Sequence, residues 1–592
     1  MSVVVEHGDG VRLYCKGADS AILKRLGTKD GMVASTEADI DSFAAAGLRT
    51  LCLAYRDMVR ADFDAWLDKY DAARSSMSNR EEKTEAAVGE LERNLTLLGM
   101  TGVEDALQAG VPRTIESLRR GGMNVWVVTG DKQETAIQIA NTCKLFSDKD
   151  RMMTLNSTLA KKAEDVPIEQ VAEFEERCEI EAGQLIEERA KRIAGDPNAG
   201  WVLVVDGPTL SYCLSEANLP AFVDMATSCR AAVICRATPF QKAQVVRAVK
   251  QERDVMTLAI GDGANDCSMI QMADIGVGIS GREGRQAVMA SDFAIAQFRF
   301  LHRLLFVHGT WNYERVALLL QYFFFKNVMF NVVAYMYGIV SWWSGTIFMD
   351  QLLFLLYNFF FTSLPQIYAA VYDRAASEET LMAAPELYSR GRLDQGYSDK
   401  WFFLAVFEGI VCGVIVFVIP YGAVVDSDAS MLMLGQACLT LLVFVGNTYT
   451  LLNSWVLDRF QWLCQFLSLL AYLIFNLLYF SVPWVEFLED WLGLNPSPLG
   501  IFTHTWGRGW FWGAVFVCFA ITSLGRVLGM AVKRWFFPHS LQYVREREAK
   551  GDTLLREEAS PMASEDDPAK TFSSSLSVNR AASIARTHTT PV

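Results

Sequence analysis

The sequence predicts a multidomain α/β protein carried on an α-helical membrane domain. Three observations lead there. Strand-like and helix-like segments alternate from Leu95 onward, the pattern of a parallel sheet with crossover helices. Glycine-bent turns bearing carboxylates follow apolar strands. Six long apolar stretches then fill much of the second half of a 592-residue chain that is 51% hydrophobic, with mean hydropathy +0.17.

Residues 1–94 read as part of a small mixed α/β domain. VRLYCKGAD (11–19) alternates like a strand, Gly47–Tyr55 repeats a turn-then-strand pattern, and residues 57–94 are charged and amphipathic with helical spacing. Residues 95–300 read as the parallel-sheet domain. LTLLGMTGVED opens it, followed by the helix Pro112–Arg120, the strand Asn124–Val128 and a helix from Gln133. The acidic, weakly apolar residues 147–199 look like a helical insertion on its surface. The strand Trp201–Val205 restarts the sheet, and Ala232–Cys235 and Val255–Ile260 continue it.

Residues 301–540 read as the membrane domain, with spans near 316–338, 347–369, 401–423, 431–456, 461–480 and 509–532. Most reach the ~20 apolar residues that a bilayer crossing needs. Lysine and arginine placement gives the orientation. Arg374, Arg390, Arg392 and Lys400 follow the second span, Arg459 the fourth, and Lys533 and Arg534 the sixth. The alternate connections hold only Arg508, so the N-terminal domains and the tail are expected in the cytosol. Residues 541–592 are read as a disordered cytosolic tail, Ser-, Ala- and Thr-rich from residue 551.

The net charge of −14 argues against nucleic-acid partners. Twelve cysteines show no CxxC pairing, which fits reduced, packed thiols. Met1–Arg12 has no apolar core of a cleavable signal peptide.

The chemistry concentrates in three loops. In TLAIGDGANDCSMIQMA (257–273), Asp262 and Asp266 sit four residues apart on a turn between a strand and a helix. Open α/β sheets bind ligands at that edge, and Gly261 and Gly263 admit a close phosphate. Two carboxylates there suit Mg²⁺, which takes a few carboxylates together with waters and substrate phosphate. In VVTGDKQET (127–135), Thr129, Gly130 and Asp131 stand where a phosphate would be bound. In CRATPFQK (235–242), Arg236 and Lys242 bring positive charge to the same edge, where it would stabilise phosphoryl oxygens during transfer.

The first span carries Lys326 and Asn327 in its middle, Asn331 lies one turn further on, and the second span carries Asn358. An intramembrane cation is expensive and usually faces a polar pathway. The middles of these two spans hold no Asp or Glu, which suits a polar or anionic headgroup better than a dehydrated metal cation.

Together, KGAD, GLRTLCLAYR, TGVEDALQAGVPRTI, VWVVTGDKQETAIQIA, VDG, CRATPFQK, AIGDGANDCSMIQMADIGVGISGREGRQA and FKN resemble type-IV P-type ATPases, the phospholipid flippases. The resemblance covers about residues 11–540, with the motifs in family order; the acidic 147–199 segment and the tail fall outside it. It implies a HAD-like (Rossmannoid) phosphorylation domain, the C-terminal part of a nucleotide-binding domain, and the last six of ten spans. It implies ATP contacts by Lys16 and Arg49 and by Thr129, Gly130, Asp131, Arg236, Lys242, Asn265 and Asp266. Asp262 and Asp266 match the Mg²⁺ carboxylates, and Lys326 matches a lysine associated with headgroup transport. ATP is then the substrate that drives phospholipid from the exoplasmic or lumenal leaflet to the cytosolic one. The membrane would be the plasma membrane or an endomembrane such as Golgi or endosome, and a small membrane-spanning accessory subunit is a further implied partner.

One departure stands out. No DKTGT sequence, which carries the phosphorylated aspartate in that family, occurs in this chain, nor does a DGET-type loop. The chain is therefore read as the C-terminal half of a flippase. The competing reading is a catalytically inactive membrane protein that keeps the fold and binds partners.

Overall fold

The computed structural model describes residues 1–8, 10–27, 31–45, 48–76, 80–103, 107–147, 149–157, 159–160, 171–197, 199–281, 285–481, 500–536 and 540–550. The chain divides into two compact units. The first comprises Met1–Arg119 and Met123–Leu301, the second Arg120–Gly122 and the described residues from His302 on.

The described residues of the first unit form three sheets. Strands β1 (Ser2–His7), β2 (Gly10–Gly17), β3 (Arg49–Val59) and β4 (Thr96–Val103) form an antiparallel sheet in sequence order. Period-2 alternation explains its two faces. Val11, Leu13 and Cys15 of β2 are buried, while Tyr14 and Lys16, on either side of Cys15, are exposed. Arg12 lies directly opposite Asp57, and the guanidinium grips the carboxylate through two bonds of 2.5 and 2.9 Å. LTLLGMTGVED was expected to open the parallel sheet; β4 instead pairs antiparallel with β3. Alternation identifies a strand but not its partner, which explains the difference.

Strands β5 (Trp126–Val128), β6 (Met152–Leu155), β7 (Val202–Asp206) and β8 (Ala231–Cys235) form a parallel sheet in the order β5-β8-β7-β6. Every residue of β7 and β8 is buried, as expected for strands covered on both faces. Leu203, Val205, Ala232 and Ile234 pack with Ile186, Phe222 and Val245 on one side. Val202, Val204, Ala231 and Val233 pack with Ile115, Ala136 and Leu145 on the other. Residues 147–199 are more than a surface insertion. They supply the edge strand β6, and their helix Val171–Gly195 buries Cys178, Ala182 and Ile186. Deep burial pushes the thiols of Cys213 and Cys229 up to about 12, so both behave as apolar packing groups.

Strands β9 (Leu258–Gly261), β10 (Ile275–Ile279) and β11 (Phe293–Ile295) form a second parallel sheet in the order β11-β10-β9. The strand expected from Val255 begins three residues later, with Val255 and Met256 exposed, and it pairs with β10 in this separate sheet and does not continue the sheet of β7 and β8 as expected, since an apolar run marks a strand without naming its partner. A 3-10 turn, Ala264–Asp266, leads into the helix Cys267–Met272.

Among the described residues six helices are long and apolar enough to cross a membrane, all in the second unit except for the first two residues of the first: Phe300–Val340, Gln351–Tyr372, Asp399–Val424, Met431–Asn453, Arg459–Phe480 and Gly509–Phe536. The fourth is the most enclosed of them, with 78% of its apolar window buried. Close approach between the first and third is built on glycine. A Cβ on Gly409 would stand 2.9 Å from the Phe325 carbonyl oxygen, and one on Gly413 2.8 Å from that of Met329. This is the small-residue spacing that brings membrane helices together.

Part of the expected disordered tail is ordered. Residues Ser540–Ala549 form a helix whose Leu541 is buried against Val307, Ala375, Ala376 and Leu381. Arg545 anchors it further by donating to the Trp455 carbonyl at 3.0 Å. Residues 551–592, also assigned to that tail, lie outside the described residues.

Candidate functional site

In the first unit, three turns are joined by hydrogen bonds. The Thr129–Asp131 turn after β5 is stitched to the Arg236–Ala237 turn after β8. Arg236 N donates to the Asp131 carbonyl at 2.9 Å, and Ala237 N to that of Thr129 at 3.0 Å. Within the first turn, the Thr129 hydroxyl donates to the Asp131 carboxylate at 2.8 Å and accepts from Asp131 N at 3.1 Å. Gly130 is exposed, and a Cβ there would lie 3.7 Å from the Ala237 carbonyl oxygen, an ordinary contact.

Arg236 is exposed and left-handed, with φ 52°, a conformation that costs a non-glycine residue energy. What holds it there lies behind it. Gly207, directly after β7, comes so close that an added Cβ would stand 2.2 Å from the Arg236 carbonyl oxygen. The following helix, Pro239–Arg253, starts with a capping box: Thr238 accepts from Gln241 N, and the Gln241 side chain accepts from Thr238 N. Gln241 also donates to the Gly207 carbonyl and the Ser211 hydroxyl, both at 2.8 Å.

That helix carries Lys242 to the third turn. The Lys242 ammonium sits 2.8 Å from the Asp266 carboxylate, with the two side chains only 11% and 15% exposed. Ser268 adds a second tie, donating to the Pro239 carbonyl at 3.0 Å. Asp266 folds back over β9. A Cβ on Gly261 would meet the Asp266 Cβ at 2.3 Å, so only glycine leaves room for that carboxylate. Asp262 and Asn265 are exposed on the same turn.

The two carboxylates are hard oxygen donors, one exposed and one already facing an ammonium. Among the described residues no three His, Cys, Asp or Glu side chains converge to enclose a metal. This donor set suits an ion that keeps its waters and takes one or two carboxylates together with phosphate, as Mg²⁺ does.

Lys16 is exposed on β2, and Arg49 opens β3 opposite Val103. No described contact bonds the Lys16 side chain to the three turns. The link runs through a neighbour instead: Lys132, next to Asp131, pairs with Asp19 of the KGAD motif at 2.5 Å. Sequence reasoning missed this pair. Its signal is the opposite charge carried by the two motifs, visible only once they are known to meet.

In the second unit, the Lys326 side chain is buried. Its ammonium donates to the Thr362 hydroxyl at 3.2 Å and lies 5.3 and 5.9 Å from the ring centres of Tyr322 and Tyr357. Asn327 and Asn331 sit elsewhere on the helix, donating to the Phe323 and Asn327 carbonyls. Asn331 is exposed, and so is Asn358. No described hydrogen bond joins any of these three amides to Lys326.

The cage has a cause in the sequence. Pro365 has no N–H to return to the carbonyl four residues back, and the second span widens into a π-helical segment, Tyr357–Phe361. The Phe361 carbonyl is instead satisfied from other spans, by Asn447 at 3.0 Å and Ser468 at 2.6 Å. Gln465 completes the network by donating to the Asn447 carbonyl at 2.7 Å. Thr362, Asn447, Gln465 and Ser468 were all missed. The available signal was an intramembrane proline beside threonine and serine, matched by isolated polar residues in the fourth and fifth spans.

The family model described as phospholipid-translocating P-type ATPase C-terminal matches residues 288–539, and that described as P-type ATPase, cytoplasmic domain N, matches residues 1–110. A phospholipid-transporting ATPase VD of Macaca fascicularis is 38% identical over 492 residues, covering 81% of this chain and 73% of that protein. The phospholipid-transporting ATPase VD of Homo sapiens is 38% identical over 507 residues, and DNF1 of Chaetomium thermophilum is 36% identical over 592. The chain spans 35% and 37% of those two relatives, about a third of their length. On these matches, and with six membrane-length helices among the described residues, the chain belongs to the phospholipid-transporting, type-IV P-type ATPases.

Proposed function

We propose that this chain supplies the nucleotide-handling and lipid-conducting part of an ATP-driven phospholipid transporter. The observation that carries the reading is the Lys242–Asp266 pair, which binds the GDGAND turn to the helix behind the CRATP turn. Asp262 and Asp266 would hold Mg²⁺, which would supply positive charge to neutralise a transferred phosphoryl group. Arg236 and Lys242 orient phosphate oxygens, and Thr129, Gly130, Asp131 and Asn265 line the same edge. Lys16 and Arg49 contact the nucleotide. The phosphoryl acceptor is an aspartate from a DKTGT segment, a sequence this chain does not contain.

Phospholipid would pass towards the cytosolic leaflet beside Lys326, with Asn327, Asn331 and Asn358 along the route. The cage around Lys326 supports a positioning role: its ammonium is held against Thr362 and two aromatic faces, ready to answer a headgroup that reaches the π-helical segment. The domains before the first span and the helix after the sixth would lie in the cytosol, in a plasma-membrane or endomembrane setting. A small accessory membrane subunit remains part of the proposal by family analogy alone.

The test is reconstitution. Co-expression with an N-terminal half that contains DKTGT is expected to give vanadate-sensitive, phospholipid-stimulated ATP hydrolysis. Asp262→Asn is expected to lower it by about a hundredfold or more, the scale of losing a principal charge-stabilising group. Hydrolysis that survives the substitution would refute the assigned role.

A further inference from the structure

Two motifs assigned to the nucleotide in the first unit stand on separate apolar cores. KGAD closes β2, whose Leu13 and Cys15 pack with Ile22 and Cys52. The Thr129–Asp131 turn follows β5, and the helix after it buries Ala136 and Ala140 against Val202 and Val204. A ligand that touches Lys16 at one end and the Thr129–Asp131 turn at the other must find these two layers at the right spacing.

One ion pair joins the motifs themselves. Lys132 Nζ lies 2.5 Å from the Asp19 carboxylate, with the two side chains 30% and 20% exposed. Both ends are anchored. Asp19 opens the helix Asp19–Leu23, whose Ile22 is buried in the core of the antiparallel sheet. Lys132 is extended, at φ −62° and ψ 153°, directly before the helix Gln133–Thr142, and its carbonyl accepts from Ala136 N at 2.9 Å. The carbonyl of Asp131 before it is held by Arg236 N. The helix Gly31–Ala45 also lies against Gln133–Thr142, so the pair orients two layers that already meet.

A lysine beside a phosphate-binding turn has two roles open to it: it takes a phosphate oxygen, or it holds a neighbouring element. The geometry favours the second. The Lys132 charge is already answered by a carboxylate as enclosed as itself, and a partly desolvated pair is stronger than a fully exposed one. Drawing Lys132 towards phosphate would break that pair.

We propose that Lys132 and Asp19 are positioning residues that hold the KGAD and TGD motifs at the spacing a nucleoside triphosphate bridges. The proposal rests on the nucleotide-handling reading above. Apparent affinity scales with the fraction of molecules in which the binding groups are in place. The pair therefore favours a ligand that reaches both motifs and is indifferent to one that reaches a single motif.

The experiment measures displacement of the fluorescent analogue TNP-ATP from the purified full chain by ATP and by AMP, which lacks the two outer phosphates. The affinity of the analogue itself is measured for each variant. Asp19→Asn and Lys132→Met are each expected to weaken ATP by about fivefold to tenfold and AMP by less than about twofold. The double variant should be no weaker than either single one, because each already breaks the same pair. Lys132→Arg keeps the pair and should bind ATP within about twofold of the unsubstituted chain. Equal losses for ATP and AMP, or no loss for either, overturn the proposal and leave the nucleotide-handling reading intact. Tighter ATP binding in Asp19→Asn overturns it in favour of Lys132 as a phosphate ligand that Asp19 holds back. If the unsubstituted chain binds neither nucleotide, the nucleotide-handling reading falls, and the proposal with it.

Discussion

Lys242 and Asp266, 24 residues apart in sequence, meet through an ammonium–carboxylate contact of 2.8 Å that is almost closed to solvent. The contact joins the helix that follows the four-stranded parallel sheet to the turn that follows β9 of the three-stranded one. It serves two ends. It holds the GDGAND turn in place, and it leaves Asp262 as the exposed carboxylate of the pair.

A double-mutant cycle measures that tie. Lys242→Met and Asp266→Asn are each expected to lower the denaturation midpoint of the first unit, since each leaves a mostly buried partner without its counter-charge. The pair is expected to show a coupling energy of about 1–3 kcal/mol, the range for residues in direct contact. Strict additivity would show that the two side chains do not act on each other.

The π-helical segment of the second span makes a different prediction. Ser468→Ala leaves the Phe361 carbonyl bonded to Asn447, and is expected to cost about 1 kcal/mol. Combining it with Asn447→Leu strips that carbonyl of both donors. The double variant should therefore lose more stability in detergent than the two single variants added together. A sum equal to the parts would mean that another donor reaches Phe361.

Along the third span, two glycines should answer substitution in opposite ways. Gly413→Val drives a side chain towards the Met329 carbonyl, where even a Cβ stands at 2.8 Å, and is expected to cost about 1–3 kcal/mol. Gly422→Ala meets nothing within 4 Å and should be neutral or slightly stabilising. Thermal midpoints of the two variants, compared in one detergent, check the contrast.

Acid should loosen the turn before β9. Lys250 lies 2.6 Å from Asp274, whose other oxygen accepts from Thr257 N at 2.8 Å. The Lys250 ammonium, helped by that backbone N–H, holds the Asp274 carboxyl down to about 2. A carboxylate held below its ordinary range stabilises the fold above about pH 4, and that contribution is lost as pH falls from about 4 towards 2. Asp274→Asn should therefore flatten the acid limb of the first unit's stability. Superimposable acid limbs in the two proteins would contradict the assignment.

How much of this was legible beforehand depends on how local the cause is. The apolar runs Ala231–Cys235 and Val202–Asp206 announce buried parallel strands because burial on both faces leaves no alternation. The spans are legible because a bilayer crossing needs a long apolar run wherever it falls. Partner choice is not local. LTLLGMTGV reads as a strand but does not say that it pairs with β3, and acidic residues around 147–199 conceal the apolar Met153 and Leu155 that complete a sheet. The candidate site divides in the same way. Lys242 and Asp266 come together as the turn motifs suggest, whereas Lys326 turns inward and Asn331 outward, a 140° difference on one helix that a motif cannot display.

Gly207 acts as a spacer behind the Arg236 turn. With 2.2 Å between a hypothetical Cβ and the Arg236 carbonyl oxygen, not even alanine fits without moving the strand behind it. Any methyl group added there would push on a main chain that already sits in an unfavourable twist, so the disturbance would emerge at the opposite surface, where the guanidinium is presented. Tolerance to change in this corner is thus set by a residue that offers no functional group at all.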